Sequence, residues 1–233
     1  MARPRDPHAR ASLIAAARKE FVRVGIQRAR IEDITTACGL SKGAFYLHFE
    51  SKEALFREQC QALEAKFDEL TRAREAAYGA LIAATKPNKK KTGPADTTQF
   101  IAAMGEIDAR EDRALLELLW DWREVTDVLL RGSQGTEFEG VMWAMLDREV
   151  ERVMAQCQQL ERARLVRADV PPEVVGMMIV GTYLLVARRM AQLTQKPDFE
   201  HWVRSLQSLI ANGIATTPAD LFPTTAPRKK RTA

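Results

Sequence analysis

The chain has little of what most enzymes and secreted proteins need. Among 233 residues there are three cysteines, Cys38, Cys60 and Cys157, far apart and never in a Cys-x-x-Cys pair. Such spacing speaks against a disulfide framework or a thiolate zinc site, and implies a reducing compartment with the thiols as small apolar side chains. Histidine is as scarce, at His8, His48 and His201. No His-Glu-x-x-His, Gly-x-Ser-x-Gly or glycine-rich phosphate loop is present. The chemistries those motifs serve are therefore not offered, no metal or cofactor is expected, and an unrecognised helical enzyme is the least favoured reading. The most apolar stretch, Val174–Ala187, falls short of the roughly 20 residues that span a bilayer. The first residues carry no apolar secretory core. A soluble, cytoplasmic protein without a membrane partner is expected.

Net positive charge is also missing from most of the chain. Residues 1–50 hold nine Lys/Arg against five Asp/Glu, whereas residues 51–233 hold 26 of each. Within that second part, Lys86 and Lys89–Lys91 form one basic cluster and Arg228–Arg231 another, so the remaining body is acidic. A basic head on an acidic body suits duplex DNA at one end, because phosphates attract the first and repel the second.

What is present is helical periodicity, with neither β-strand patterns nor internal repeats. From about Pro7 to Val24 the residues Leu13, Ile14, Ala17, Phe21 and Val24 share a face, and Gly25 ends the helix. A short helix from Ile31 to Cys38 follows, then a turn at Gly39 and a third helix capped by Ser41. Ser51 caps a fourth, long helix with Phe56, Cys60, Leu63, Phe67, Leu70, Ala77 and Leu81 in line and Arg74 interrupting the stripe. Two prolines, a glycine and four lysines then predict a flexible loop at 86–96. Further helices are expected at Thr98–Ile107, Arg113–Leu130, Phe138–Leu165, Pro172–Leu193 and Phe199–Ile214. The helix from Pro172 is apolar nearly all round and must be covered on more than one side. Phe199–Ile214 is its candidate partner, and two such helices can pair with their symmetry mates in a four-helix bundle. The fold class is all-α. Residues 1–52 are expected to form a three-helix helix-turn-helix domain, residues 53–217 a second helical domain with the candidate dimerisation helices, and residues 218–233 a disordered basic tail.

The segment Ser41–Phe56, SKGAFYLHFESKEALF, carries the chemistry. Lys42 sits in the first turn of the candidate recognition helix, where side chains enter the major groove and a lysine can donate to guanine or to a phosphate. Gly43 lets the helix end approach the bases, and the Ala44 methyl suits a thymine methyl. Tyr46 and His48 have polar tips fitted to phosphate oxygens, while Ser41 and Lys52 stand at helix starts that favour an anion. Phe45 and Phe49 are expected to hold this helix against Phe21 and Ile34.

These residues, with Gly25, Ile31-Glu-Asp-Ile34, Cys38-Gly39-Leu40 and Lys52-Glu-Ala-Leu55, resemble the N-terminal domain of TetR/AcrR-type repressors over roughly residues 9–60. The resemblance implies a homodimer on a palindromic operator, released when a small molecule fills the C-terminal domain. It implies backbone contacts at Tyr46 and His48. The pattern departs at Arg30, where a Ser/Thr cap usually starts the second helix. Arg28 and Arg30 are read instead as extra phosphate contacts, and Arg3, Arg5 and Arg10 as a candidate N-terminal arm.

For the effector, Phe100, Met104, Trp120, Trp122, Phe138, Met142, Trp143 and Met145, with Tyr183, form the candidate lining. Soft aromatic and thioether groups accept bulky apolar or cationic molecules. Asp121 and Glu124, beside two of the tryptophans, would select a cation. The competing functional reading is a constitutive architectural or activating DNA-binding protein without an effector.

Overall fold

The computed structural model describes residues 7–84, 94–162 and 170–212. Among them are nine helices and no strand: α1 (Pro7–Arg28), α2 (Ile31–Ala37), α3 (Lys42–His48), α4 (Lys52–Ala84), α5 (Pro94–Asp121), α6 (Arg123–Arg131), α7 (Val141–Arg162), α8 (Pro172–Met190) and α9 (Phe199–Asn212). The all-α expectation holds. Residues 86–93 of the expected loop, Arg3, Arg5 and the tail 218–233 lie outside the described residues, whereas Pro94–Asp96 open α5 instead of closing a loop.

The N-terminal helices form where the local signals place them. In α1, Leu13, Ala17 and Phe21 are fully buried on one face. Gly25 interrupts that helix with φ 79° and ψ 163°, and one further turn carries the chain to Arg28. The Ser41 hydroxyl accepts the Ala44 N–H at 3.1 Å, and the Ser51 hydroxyl accepts the Ala54 N–H at 3.0 Å. Each bond satisfies an N–H that a helix start otherwise leaves open. Arg30 starts α2 with extended backbone and no side-chain cap.

One apolar core runs from α1 into the body. Phe45 and Phe49 are buried with Phe21, Ile34 and Phe56, and the same cluster continues through Val125, Val128 and Leu129 of α6 to Phe138 and Met142. Phe56 stands edge-on to Phe21 at 5.4 Å and to Phe138 at 5.0 Å. A second core joins Leu116 and Leu119 of α5 to Ala187 and Met190 of α8 and to Phe199 and Val203 of α9. The α7–α8 crossing is tight at Gly176, where an added Cβ would stand 3.1 Å from the Val150 carbonyl oxygen. Cys60 lies in the first core, and burial pushes its thiol up to about 12. Cys38 and Cys157 are half-buried, and all three thiols are free.

The helix boundaries of the body differ from expectation. Residues Asp108–Asp112 separate two expected helices, yet α5 passes straight through them. Asp108 and Asp112 face α4 instead of water. The Tyr78 hydroxyl donates to Asp108 at 2.6 Å, and Arg74 pairs with Asp112 at 2.7 Å. With those partners in place the polar residues have no reason to end the helix. The break comes at Trp122, and α7 starts at Val141, leaving Phe138 in the preceding turn.

Candidate DNA-reading face and effector cavity

The leading edge of α3 is exposed. Ser41, Lys42 and Gly43 face outward, and Tyr46 keeps about half its surface, 51%, in contact with solvent. Ala44 is half-buried, and the apolar side of the same helix is locked by Phe45, whose ring meets Phe49 at 5.7 Å. Arg30, Lys42, Tyr46, Ser51 and Lys52 border one concavity shared by α2, α3 and α4. Three carboxylates, Glu32, Glu50 and Glu53, border it too, so its charge is mixed.

Several cations here already have partners. Lys42 Nζ donates to Glu32 at 2.6 Å, a bridge between two exposed side chains. The hydrogen bond raises the Lys42 ammonium and lowers the Glu32 carboxyl from their ordinary values. Lys52 Nζ donates to the carbonyls of Gln27 at 2.9 Å and Ala29 at 2.7 Å, tying the start of α4 to the end of α1. Arg28 folds back to donate to the Val24 carbonyl, and Arg10 pairs with Glu58 over the Phe49 ring. Arg30 is exposed at the start of α2. His48 is half-buried, and its Nδ1 is enclosed without a hydrogen-bond partner. Glu32 was not among the residues singled out from sequence. Its place in the first turn of α2 is visible there, but its reach to Lys42 on the next helix is not.

The body contains a mostly apolar cavity of about 100 Å³ between α4, α5, α6, α7 and α8. Phe67, Leu70, Leu115, Leu146, Ile179 and Leu184 supply much of its wall. Of the nine candidate lining residues, Met142 and Tyr183 face this cavity. The other seven are placed elsewhere. Trp122 lies under the Arg18 guanidinium at 4.5 Å, and Trp120 under Arg123 at 4.3 Å. Phe138 packs on Phe56, Phe100 and Met145 are buried, Met104 is half-buried, and Trp143 is 59% exposed. Asp121 is exposed, and Glu124 faces Arg18. Two of the nine candidates thus border the cavity, and Trp120, Trp122 and Phe138 are engaged in other contacts.

Apart from Tyr183, the polar members of the lining come from residues not singled out as ligand contacts. Arg74, Glu111, Thr71, Thr126, Glu149 and Arg152 all border the cavity. Arg74 is 14% exposed and its partner Asp112 8%, so this ion pair is a buried one. Burial works against the Arg74 charge, but the Asp112 carboxylate beside it prevails and raises the guanidinium. Arg152 binds Glu149 through Nε at 2.8 Å, and Glu111 pairs with Arg110 at 2.9 Å. The interruption of the α4 apolar stripe by Arg74 was the legible signal: a charge at a core position needs a buried partner.

Among the described residues no group of His, Cys, Asp and Glu could hold a metal ion, and no helix is long and apolar enough to cross a membrane.

An exposed α3 edge on a three-helix head, joined to an all-helical body with its own cavity, gives the chain a helix-turn-helix-like head and a C-terminal helical bundle. Residues 13–58 match the model for bacterial regulatory proteins of the tetR family. The chain is 51% identical over 41 residues to the uncharacterized HTH-type transcriptional regulator YerO of Bacillus subtilis (strain 168), covering 18% of this chain and 14% of that one. It is 36% identical over 66 residues to the HTH-type transcriptional regulator TtgR of Pseudomonas putida, covering 28% of this chain and 31% of that one. The aligned stretches therefore span less than a third of these curated relatives. A TetR-like transcriptional regulator from Rhodococcus sp. RHA1 shares the fold with a TM-score of 0.60 at 20% identity, over 92% of this chain and all of that one. Over residues 13–58 the chain is thus similar to the N-terminal domain of tetR-family regulators, and the chain as a whole shares the fold of a TetR-like regulator.

Proposed function

We propose that the protein is a ligand-responsive repressor that binds a palindromic operator as a homodimer and leaves it when a small molecule fills the cavity of the body. The observation that carries this reading is the exposed first turn of α3, held rigid from behind by Phe45 and Phe49. Seated in the major groove, Lys42, Gly43 and Ala44 would meet base edges. Ser41, Tyr46, His48 and Lys52 would meet phosphates, with Arg28 and Arg30 adding charge at the flank. Lys42 must first leave Glu32, and Lys52 would serve the backbone while still bracing α1. The unpartnered His48 Nδ1 supports a role for this ring at a phosphate.

The dimer reading rests on α8. Val174, Met177, Met178 and Leu185 leave a stripe of this helix between 49% and 64% exposed, and Leu209 on α9 is exposed as well. A contiguous apolar face of this kind calls for cover, and a second copy supplies it with two-fold symmetry. Two α3 helices would then lie roughly 34–36 Å apart to enter successive major grooves. A ligand that prefers the state with another spacing would release the DNA. The α4 helix both lines the cavity and begins beside α3, which suits it to carry the change.

The test is binding to the operator found beside the gene, read by fluorescence anisotropy. Lys42→Ala and Tyr46→Phe weaken DNA binding while sedimentation shows an intact dimer. Unchanged affinity for both variants would remove α3 from the interface.

A further inference from the structure

We infer that the cavity of the body selects an uncharged, single-ring-sized molecule bearing an oxygen acceptor, such as an aryl ketone, and not an anion or a cation. This rests on the reading above that the cavity is the effector site. Three helices each bring a buried polar atom without a hydrogen-bond partner to residues of this wall: Thr126 Oγ1 from α6, Arg152 Nη1 from α7 and the Tyr183 hydroxyl from α8. Thr126 is only 2% exposed, so water does not serve its hydroxyl from outside. Buried donors are normally satisfied, and three left open around one apolar space are what an absent acceptor would leave. Burial raises the Tyr183 phenol, which therefore stays protonated and able to donate, with the Asp112 carboxylate beside it as the competing acceptor.

The charged groups of the wall already have ionic partners. Arg74 is taken by Asp112, Arg152 by Glu149 and Glu111 by Arg110. An anion or cation entering this space would lose its hydration against ionic side chains that are already paired. A carbonyl oxygen meets the open donors without that cost. Size points the same way, since about 100 Å³ is the scale of the roughly 150 Å³ cavity that accepts benzene.

Calorimetric titration of the full-length dimer with four compounds of similar size tests this: acetophenone, ethylbenzene, benzoate and benzylammonium. Acetophenone binds tightest. Thr126→Val and Tyr183→Phe each weaken it roughly 3- to 10-fold, as for a buried neutral hydrogen bond, and leave ethylbenzene unchanged. Tighter binding of benzoate or benzylammonium overturns the uncharged class while the cavity reading stands. Equal binding of acetophenone and ethylbenzene, indifferent to both variants, overturns the role of the three donors. Failure of all four to bind overturns this inference together with the cavity as effector site.

Discussion

The seam between the N-terminal head and the body can be tested at a single hydrogen atom. Gly25 adopts φ 79° and ψ 163°, a region that essentially only glycine occupies. A Cβ added there would stand 3.2 Å from the carbonyl oxygen of Gly132 at the end of α6. That same oxygen accepts the Ile26 N–H at 3.0 Å, the bond that ties the end of α1 to α6. Gly25→Ala thus combines backbone strain of about 1–3 kcal/mol with damage to a hydrogen bond worth about 0.5–1.5 kcal/mol. A total loss of about 2–4 kcal/mol is expected, roughly a 30-fold or greater fall in the folded-to-unfolded ratio. Gly39→Ala is the control. Gly39 has φ 69°, and an added Cβ there would meet nothing within 4 Å, so the change costs only the left-handed conformation, about 1–2 kcal/mol. Urea unfolding of the two variants, followed by circular dichroism and by tryptophan emission, measures both losses. A Gly25→Ala loss under about 0.5 kcal/mol, the range of an indifferent surface change, or no larger than that of Gly39→Ala, would refute the seam as drawn.

Three further outcomes follow from the same geometry. Removing the carboxylate that competes for Lys42, by Glu32→Gln, tightens operator binding and increases its salt dependence; weaker binding in an anisotropy titration would mean Glu32 orients Lys42 productively instead. Arg74→Met strands the buried Asp112 carboxylate and destabilises by about 3–5 kcal/mol, while Arg74→Met combined with Asp112→Leu regains most of that in a denaturant series. Burial raises the Asp108 carboxyl above its ordinary 3.8, so the folded protein holds this proton to higher pH than the unfolded chain does. Stability then falls as pH rises from near 3.8 through the raised value, and Asp108→Asn flattens that part of a thermal-melt profile.

The head was readable because its signals are local. Serine caps act over three residues, Gly39 turns the chain on its own φ, and Phe21, Ile34, Phe45 and Phe49 declare their buried side by helical spacing. Gly25 was readable as an interruption, but its contact with Gly132 was not, since the two lie on helices far apart in the chain. The uncapped Arg30 was also legible, and the structure leaves it uncapped.

In the body, composition and periodicity determined that the chain is helical, where apolar faces run, and that Arg74 breaks one of them. Only the tertiary structure decided that α5 continues through Asp108–Asp112, because the groups that satisfy Asp108 and Asp112 lie on α4. It likewise turned Trp120 and Trp122 beneath arginines and left Met142 and Tyr183 on the cavity. Periodicity places a residue on a face of its own helix. Which neighbour that face meets depends on helix rotation and crossing, and those are settled by packing against distant parts of the chain.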